Sequence, residues 1–252
     1  MRGDLDNLRV VLVATRNPLN IGAAARAMSN FGVRHLRLVK PYEVAFREAR
    51  SAVGAADLLA NAREYATVAE AVADCRLVVG TTAAGRRQLQ LELMPLERGR
   101  QPVRNQLRTA PVALLFGSEK VGLSNEDMSH CHWLMRIPTR AAHGSMNLGQ
   151  AVAVCLYDLA RPGKSEAAKS NSIPATSADL KRLTDLLFNV LDRSGYVKPR
   201  LAAATTEKLR LMVHRLNLSD SDAELWLGML RQIDWRLTAI DAPLPGAGAS
   251  FP

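Results

Sequence analysis

Five short apolar runs constrain the fold more than any other feature: Leu8 to Ala14, Leu36 to Val39, Leu77 to Gly80, Val112 to Phe116 and Leu134 to Ile137. Each is bounded by polar or turn residues and reads as a buried strand. Helix-like stretches lie between them, among them Gly22 to Phe31, Gly54 to Tyr65 and Val68 to Asp74, and Asn147 to Ala160 closes the set as an apolar helix. This alternation predicts an α/β fold with a mainly parallel sheet covered on both faces.

Beyond Ala160 the pattern changes. Pro162, Gly163 and Pro174 stand among Ser, Lys and Ala residues with no apolar periodicity, which marks a linker. Leu180, Leu183, Leu186, Leu187, Val190 and Leu191 then recur at helical spacing, with Ser177 placed to cap the helix. Two more helices are expected over Leu209 to Leu216 and Asp220 to Leu237. The expected organisation is therefore a domain over residues 1–162, a flexible linker over 163–176, a helical C-terminal domain over 177–241 and a frayed tail over 242–252. Packing or dimerisation is the first role suggested for those helices.

No run approaches the roughly 18 apolar residues that span a bilayer. Met1-Arg2-Gly3-Asp4 leads into a strand-like segment, not a signal sequence, so a cytoplasmic protein without a membrane partner is expected. Cys75, Cys131 and Cys155 are odd in number and widely spaced, which fits neither a disulfide framework nor paired zinc ligands. Adjacent side chains in His130-Cys131-His132 project in different directions, so no metal is expected there.

The net charge is +9, and residues 1–175 carry 23 of the 33 Lys and Arg but 15 of the 24 Asp and Glu. The excess is densest between Gly85 and Arg108, where Arg86, Arg87, Arg98, Arg100, Arg104 and Arg108 face only Glu92 and Glu97. Composition alone leaves a phosphate-binding surface and a solvated basic face equally open. The scarcity of aromatic residues argues for contacts to a nucleic-acid backbone over base stacking.

Three segments carry chemistry. Asn17 to Gly32 follows the first strand: Asn20 can cap its helix, Gly22 and the alanines permit close approach, and Arg26 lies on that small-residue helix. Phe116-Gly117-Ser118-Glu119-Lys120-Val121-Gly122-Leu123-Ser124 has the glycine spacing of a phosphate loop, but Leu123 stands where the loop lysine belongs, which excludes an NTPase. Its glycines still imply a sharp turn at a strand's carboxyl end, where open α/β sheets bind ligands. Ile137 to Val154 runs from a strand through a polar loop into an apolar helix with unpaired N–H groups in its first turn. His143 and Ser145 lie two apart in that loop, outside any Gly-x-Ser-x-Gly elbow, so a hydrolase is not expected.

Together these segments resemble the three motifs of the SpoU-TrmH class of SPOUT RNA methyltransferases. Asn-x-Gly-x-x-x-Arg is present as Asn20, Gly22 and Arg26, Gly-x-Glu-x-x-Gly-Leu as Gly117, Glu119, Gly122 and Leu123, and Ser-x-Asn-Leu as Ser145, Asn147 and Leu148. Val79-Gly80-Thr81-Thr82 resembles a cofactor-side segment of the same class.

The resemblance implies a trefoil-knotted domain, an exception to the near-absence of knots in proteins. It also implies S-adenosyl-L-methionine bound against Thr81, Thr82, Gly117, Ile137, Ser145, Met146 and Leu148. Methylation of an RNA ribose 2′-hydroxyl follows, with Arg26, Glu119, Asn147 and Ser145 as catalytic residues and Arg26, Arg86, Arg87, Lys120 and Arg140 toward the RNA. In the class, the arginine completes the partner subunit's site, which implies a homodimer. For Arg26, orienting the hydroxyl and binding phosphate is preferred to acting as a base, since a guanidinium ordinarily stays protonated. For Glu119, positioning the arginine and fixing its own loop through backbone N–H groups both stand. Within the class the chain is most similar to the bacterial TrmJ subfamily, which implies tRNA anticodon-loop nucleotide 32, C or U. A ribosomal-RNA ribose methyltransferase and a non-catalytic RNA-binding module are the rival readings.

Overall fold

The computed structural model describes residues 5–42, 54–83, 90–140, 144–161 and 173–241. Among them, strands β1 (Leu8–Val13), β2 (His35–Val39), β3 (Arg63–Tyr65), β4 (Leu77–Thr81), β5 (Leu93–Pro95), β6 (Val112–Phe116) and β7 (Trp133–Arg136) form one sheet. Its order is β3-β2-β1-β6-β4-β7-β5 and every pairing is parallel. The central strands are buried on both sides. Leu8, Val10 and Leu12 of β1 join one core cluster, while Val11 and Val13 join the other. Val112, Leu114 and Phe116 of β6 divide from Ala113 and Leu115 in the same way. A strand covered on both faces must read as a continuous apolar run, which is why these were visible in the sequence.

Helices α1 (Pro18–Asn30), α2 (Ala56–Ala60), α3 (Val68–Ala71), α4 (Leu96–Leu107), α5 (Asn125–Ser129) and α6 (Leu148–Ala160) cover the sheet. Several boundaries differ from expectation for identifiable reasons. Helix α1 begins at Pro18 because the Asn17 side chain accepts the Leu19 N–H at 2.9 Å, so Asn17 and not Asn20 is the cap. The segment 54–65, read as one helix, holds only the short α2 before it turns into edge strand β3. Edge strands need no apolar run, so Arg63-Glu64-Tyr65 carried no strand signal, and β5 ends in a proline that an edge tolerates. Cys75, Cys131 and Cys155 are free and buried.

Helices α7 (Ser177–Arg193), α8 (Ala202–Arg215) and α9 (Asp220–Asp241) share a separate apolar cluster containing Leu180, Leu183, Val213, Leu227 and Leu230. The cap of α7 is Thr176, in a capping box with Asp179, where Ser177 was expected. Ser177 instead donates its N–H and hydroxyl to the Cys75 carbonyl, both at 2.9 Å. Arg76 pairs with Asp220 at 2.5 Å, and Arg210 donates to Ser129 Oγ at 2.5 Å. The rings of His132 and His214 meet edge to face with centroids 4.6 Å apart. The C-terminal helices are thus joined to the sheet's covering layer by buried and half-buried polar contacts and by Leu211, which packs into its apolar cluster. No described helix is long and apolar enough to cross a membrane.

Candidate active site

Neighbouring strands β6, β4 and β7 all deliver their carboxyl ends to one edge, and the segments that follow them enclose a cavity of about 420 Å³. That size falls within the range of small-molecule sites. Thr81, Thr82, Gly117, Ile137, Ser145, Met146 and Leu148, all expected at a cofactor, line it. Phe116, Leu123, Met135, Thr139 and Ala151 complete much of the wall. The Thr81 hydroxyl donates to the Leu115 carbonyl at 2.9 Å and the Thr82 N–H to the Met135 carbonyl at 3.0 Å, so the end of β4 is tied to both its neighbours.

The loop after β6 doubles back on itself. Gly122 donates to the Ser118 carbonyl at 2.8 Å and takes φ +71°, a left-handed conformation suited to glycine. A Cβ on Gly117 would lie 2.1 Å from backbone atoms of Gly122 and Leu123. The fold of the loop therefore excludes any side chain at 117. Ser124 then caps α5 through a capping box with Asp127. Together the wall offers apolar side chains, hydroxyls and main chain at three strand ends. Such a mixture fits a nucleoside that carries a polar amino-acid arm, as S-adenosylmethionine does.

A directed hydrogen-bond chain connects the three motif segments. Glu119 accepts the N–H groups of Arg16 at 3.4 Å and Asn17 at 3.3 Å and the side-chain amide of Asn20 at 2.9 Å. Asn147 in turn donates to Asn20 Oδ1 at 2.8 Å, while its own Oδ1 accepts the Gln150 N–H at 3.3 Å and caps α6. An ionised carboxylate only accepts, so Asn20 must present its NH₂ to Glu119, and this sets the orientation of both amides down the chain. Partial burial pushes the Glu119 carboxyl up. Hydrogen bonds from Asn20, its own backbone, Arg16 and Asn17 outweigh that and hold its pKa below the ordinary value. Glu119 is therefore charged at neutral pH. The backbone N–H groups that bind it belong to the turn after β1 as well as to its own loop, and it makes no described contact with Arg26 within the chain.

Asn20 is the residue that sequence reading misjudged. It is buried inside the first turn of α1, and the readable signal was its place one turn upstream of a run of alanines, where a polar side chain needs a partner. Ser145 and Lys120 line the cavity, whereas Asn147 works one step behind it as a cap. Arg26 and Arg140 are exposed and outside the lining. Arg86 and Arg87 lie outside the described residues. The basic stretch divides: Arg100 and Arg104 turn inward to the Arg161 carbonyl at the end of α6, while Arg98 and Arg108 remain exposed. Helix packing behind the cavity is close, since a Cβ on Gly149 of α6 would lie 2.5 Å from Ala23 Cβ of α1.

The model of the SpoU rRNA Methylase family matches residues 7–157. The tRNA (cytidine/uridine-2'-O-)-methyltransferase TrmJ of Sodalis glossinidius is 33% identical over 254 residues, covering 98% of this chain and 99% of the relative. Its counterpart in Klebsiella pneumoniae is 35% identical over 240 residues, covering 91% and 97%. The crystal structure of TrmJ from Z. mobilis superposes with a TM-score of 0.79 at 31% identity, covering 90% of this chain and 98% of the other. The chain therefore belongs to the SpoU rRNA methylase family, whose members are S-adenosylmethionine-dependent methyltransferases.

Proposed function

We propose that this protein transfers a methyl group from S-adenosylmethionine to a tRNA ribose 2′-hydroxyl, at cytidine or uridine 32 of the anticodon loop. The carrying observation is a cavity walled by the end of β4 and the second and third motif segments, which the Glu119-Asn20-Asn147 chain ties to the first motif segment. Near full-length similarity to TrmJ proteins, C-terminal helices included, favours tRNA over ribosomal RNA. Nucleotide 32 is taken from the subfamily resemblance, while the cytoplasmic setting and the absence of a metal stay as expected from the sequence. The same reading keeps residues 1–162 as a knotted methyltransferase unit joined by 163–176 to the helical unit 177–241.

The cofactor supplies an electrophilic methyl on a sulfonium that leaves as a neutral thioether. Thr81, Gly117, Ile137, Met146 and Leu148 hold it, largely through main chain and apolar contact. Ser145 faces the cavity and holds the acceptor or cofactor, while Asn147 fixes the start of α6 beneath it. Arg26 is exposed, lines no part of its own chain's cavity and has no described hydrogen bond or ion pair. In a homodimer it would serve the partner's cavity, its guanidinium orienting the ribose 2′-hydroxyl toward the methyl donor while the hydroxyl proton passes to solvent water. Positioning two reactants in line removes a large part of the barrier. The test is site mapping of ribose methylation on tRNA and ribosomal RNA incubated with the protein and the cofactor. Methylation confined to tRNA anticodon loops is expected; modification of ribosomal RNA alone, or of neither, overturns the assignment.

A further inference from the structure

The chain leaves β1 through a strained turn. Ala14 has φ 51°, a left-handed conformation that is strained for a residue with a Cβ. Thr15 is 1% exposed, and its hydroxyl has no described partner. Strain of this kind persists where surrounding structure holds it in place and marks functional segments. Here the turn carries the main chain of Arg16 and Asn17 to the Glu119 carboxylate, which accepts both N–H groups.

The result is a cation on a fixed base. The Arg16 backbone is anchored, while its side chain is exposed and takes part in no described hydrogen bond or ion pair. Lys120, beside Glu119 in sequence, is also exposed and lines the cavity. Among the described residues, the carboxylate in this rim is Glu119, which is already engaged by the donors of Arg16, Asn17 and Asn20. A planar guanidinium on an anchored backbone matches the paired oxygens of a phosphodiester better than a freely moving ammonium does.

We propose that Arg16, together with Lys120, grips a backbone phosphate of the RNA beside the ribose that is methylated. The proposal rests on the RNA-methyltransferase reading and adds to it a residue outside the three motifs. A phosphate contact fixes the register of the strand at the cavity and reads no base, so it serves every substrate alike. Because Glu119 binds the main chain of residue 16, changing its side chain leaves that bond in place.

The experiment compares wild type, Arg16→Ala and Arg16→Lys with full-length tRNA, following steady-state methylation and tRNA binding across a series of salt concentrations. Arg16→Ala should raise KM for tRNA about tenfold with kcat within about twofold, and lower the slope of log affinity against log salt by about one. Arg16→Lys should recover most of the affinity. The heat of S-adenosylmethionine binding and the unfolding temperature should not change. Unchanged KM and salt slope in Arg16→Ala overturn the proposal, as does a loss of kcat and thermal stability with the slope intact. Absence of tRNA methylation by the wild type defeats the underlying reading instead, and the proposal with it.

Discussion

Exchanging Asn20 for aspartate alters one terminal group and reverses one hydrogen-bond polarity. In the native chain Asn20 donates to Glu119 at 2.9 Å and accepts from Asn147 at 2.8 Å. Asn20→Asp keeps the acceptor for Asn147 but sets a second carboxylate against the first. Losing a hydrogen bond to a charged acceptor costs about 1.5–3 kcal/mol. Repulsion between the carboxylates lies between ~1 kcal/mol in water and ~4 kcal/mol at an effective dielectric of 20. Glu119 is open to solvent on one side, so screening holds that second contribution near the lower figure. A total of about 3 kcal/mol should lower the unfolding temperature by roughly 6–12 °C in a protein of this size. Asn20→Ala loses both hydrogen bonds without the repulsion and should be destabilised by a similar amount at pH 8. The aspartate variant binds a proton between its paired carboxylates more readily folded than unfolded, so its penalty shrinks as pH falls and it should be the more stable of the two near pH 5. Thermal unfolding by circular dichroism at both pH values reads this directly. If Asn20→Asp melts within 2 °C of wild type at pH 8, or its deficit does not change with pH, the directed chain does not hold these segments together.

Four other perturbations follow from the structure. Arg26→Ala should abolish methyl transfer while calorimetry shows cofactor affinity nearly unchanged; retained turnover removes Arg26 from the reaction. Gly117→Ala places a Cβ against backbone 2.1 Å away, so the loop must open and cofactor binding, measured by the same calorimetry, should fall by more than tenfold. Gly149→Ala should cost about 1–3 kcal/mol through overpacking of α6 against Ala23, readable in denaturant unfolding. Burial lowers the pKa of His132 to about 4, and its Nδ1 accepts the Val78 N–H at 3.1 Å, a bond that only the unprotonated nitrogen can make. Unfolded chains take up that proton below the ordinary 6.5 while the folded chain resists until about 4, so stability should fall by about 3 kcal/mol as pH drops through that window. His132→Asn should reduce the pH dependence of unfolding without abolishing it, since burial lowers His130 and His214 in the same direction; an unchanged profile refutes the assignment.

The parts of the fold that could be read from sequence are those where burial leaves a periodic trace. Strand β6 gives an uninterrupted apolar run and β1 one broken only by Arg9, and the glycines of 117–122 announce a turn. Edge strands β3 and β5 left no trace because one side of each needs no partner, and three residues are too few for alternation to show. Helix caps were misplaced by one or three residues because several neighbouring Ser, Thr and Asn side chains can reach an N–H group, and only the backbone geometry chooses between them. Asn20 shows this most clearly: it was read as the cap, and Asn17 holds that place, which frees Asn20 for Glu119 and Asn147. The cavity lining was legible because motif residues lie next to strand ends. The basic stretch was not, since charge says nothing about direction, and Arg100 and Arg104 point inward at a helix end.

The strand order also governs the timetable of synthesis. On one side β1 pairs with β2, its neighbour in sequence, but on the other Leu8 pairs with Val112. A ribosome working at ~5–20 residues per second needs roughly 5–20 s to make the intervening chain. During that interval one backbone edge of an apolar strand stands open, the kind of edge that invites pairing with other chains. Asn147 emerges later still, so the catalytic edge can assemble only after β6 has filled its slot between β1 and β4. Slowing translation before residue 112 should therefore lower the soluble yield far more than the same pause placed after residue 160.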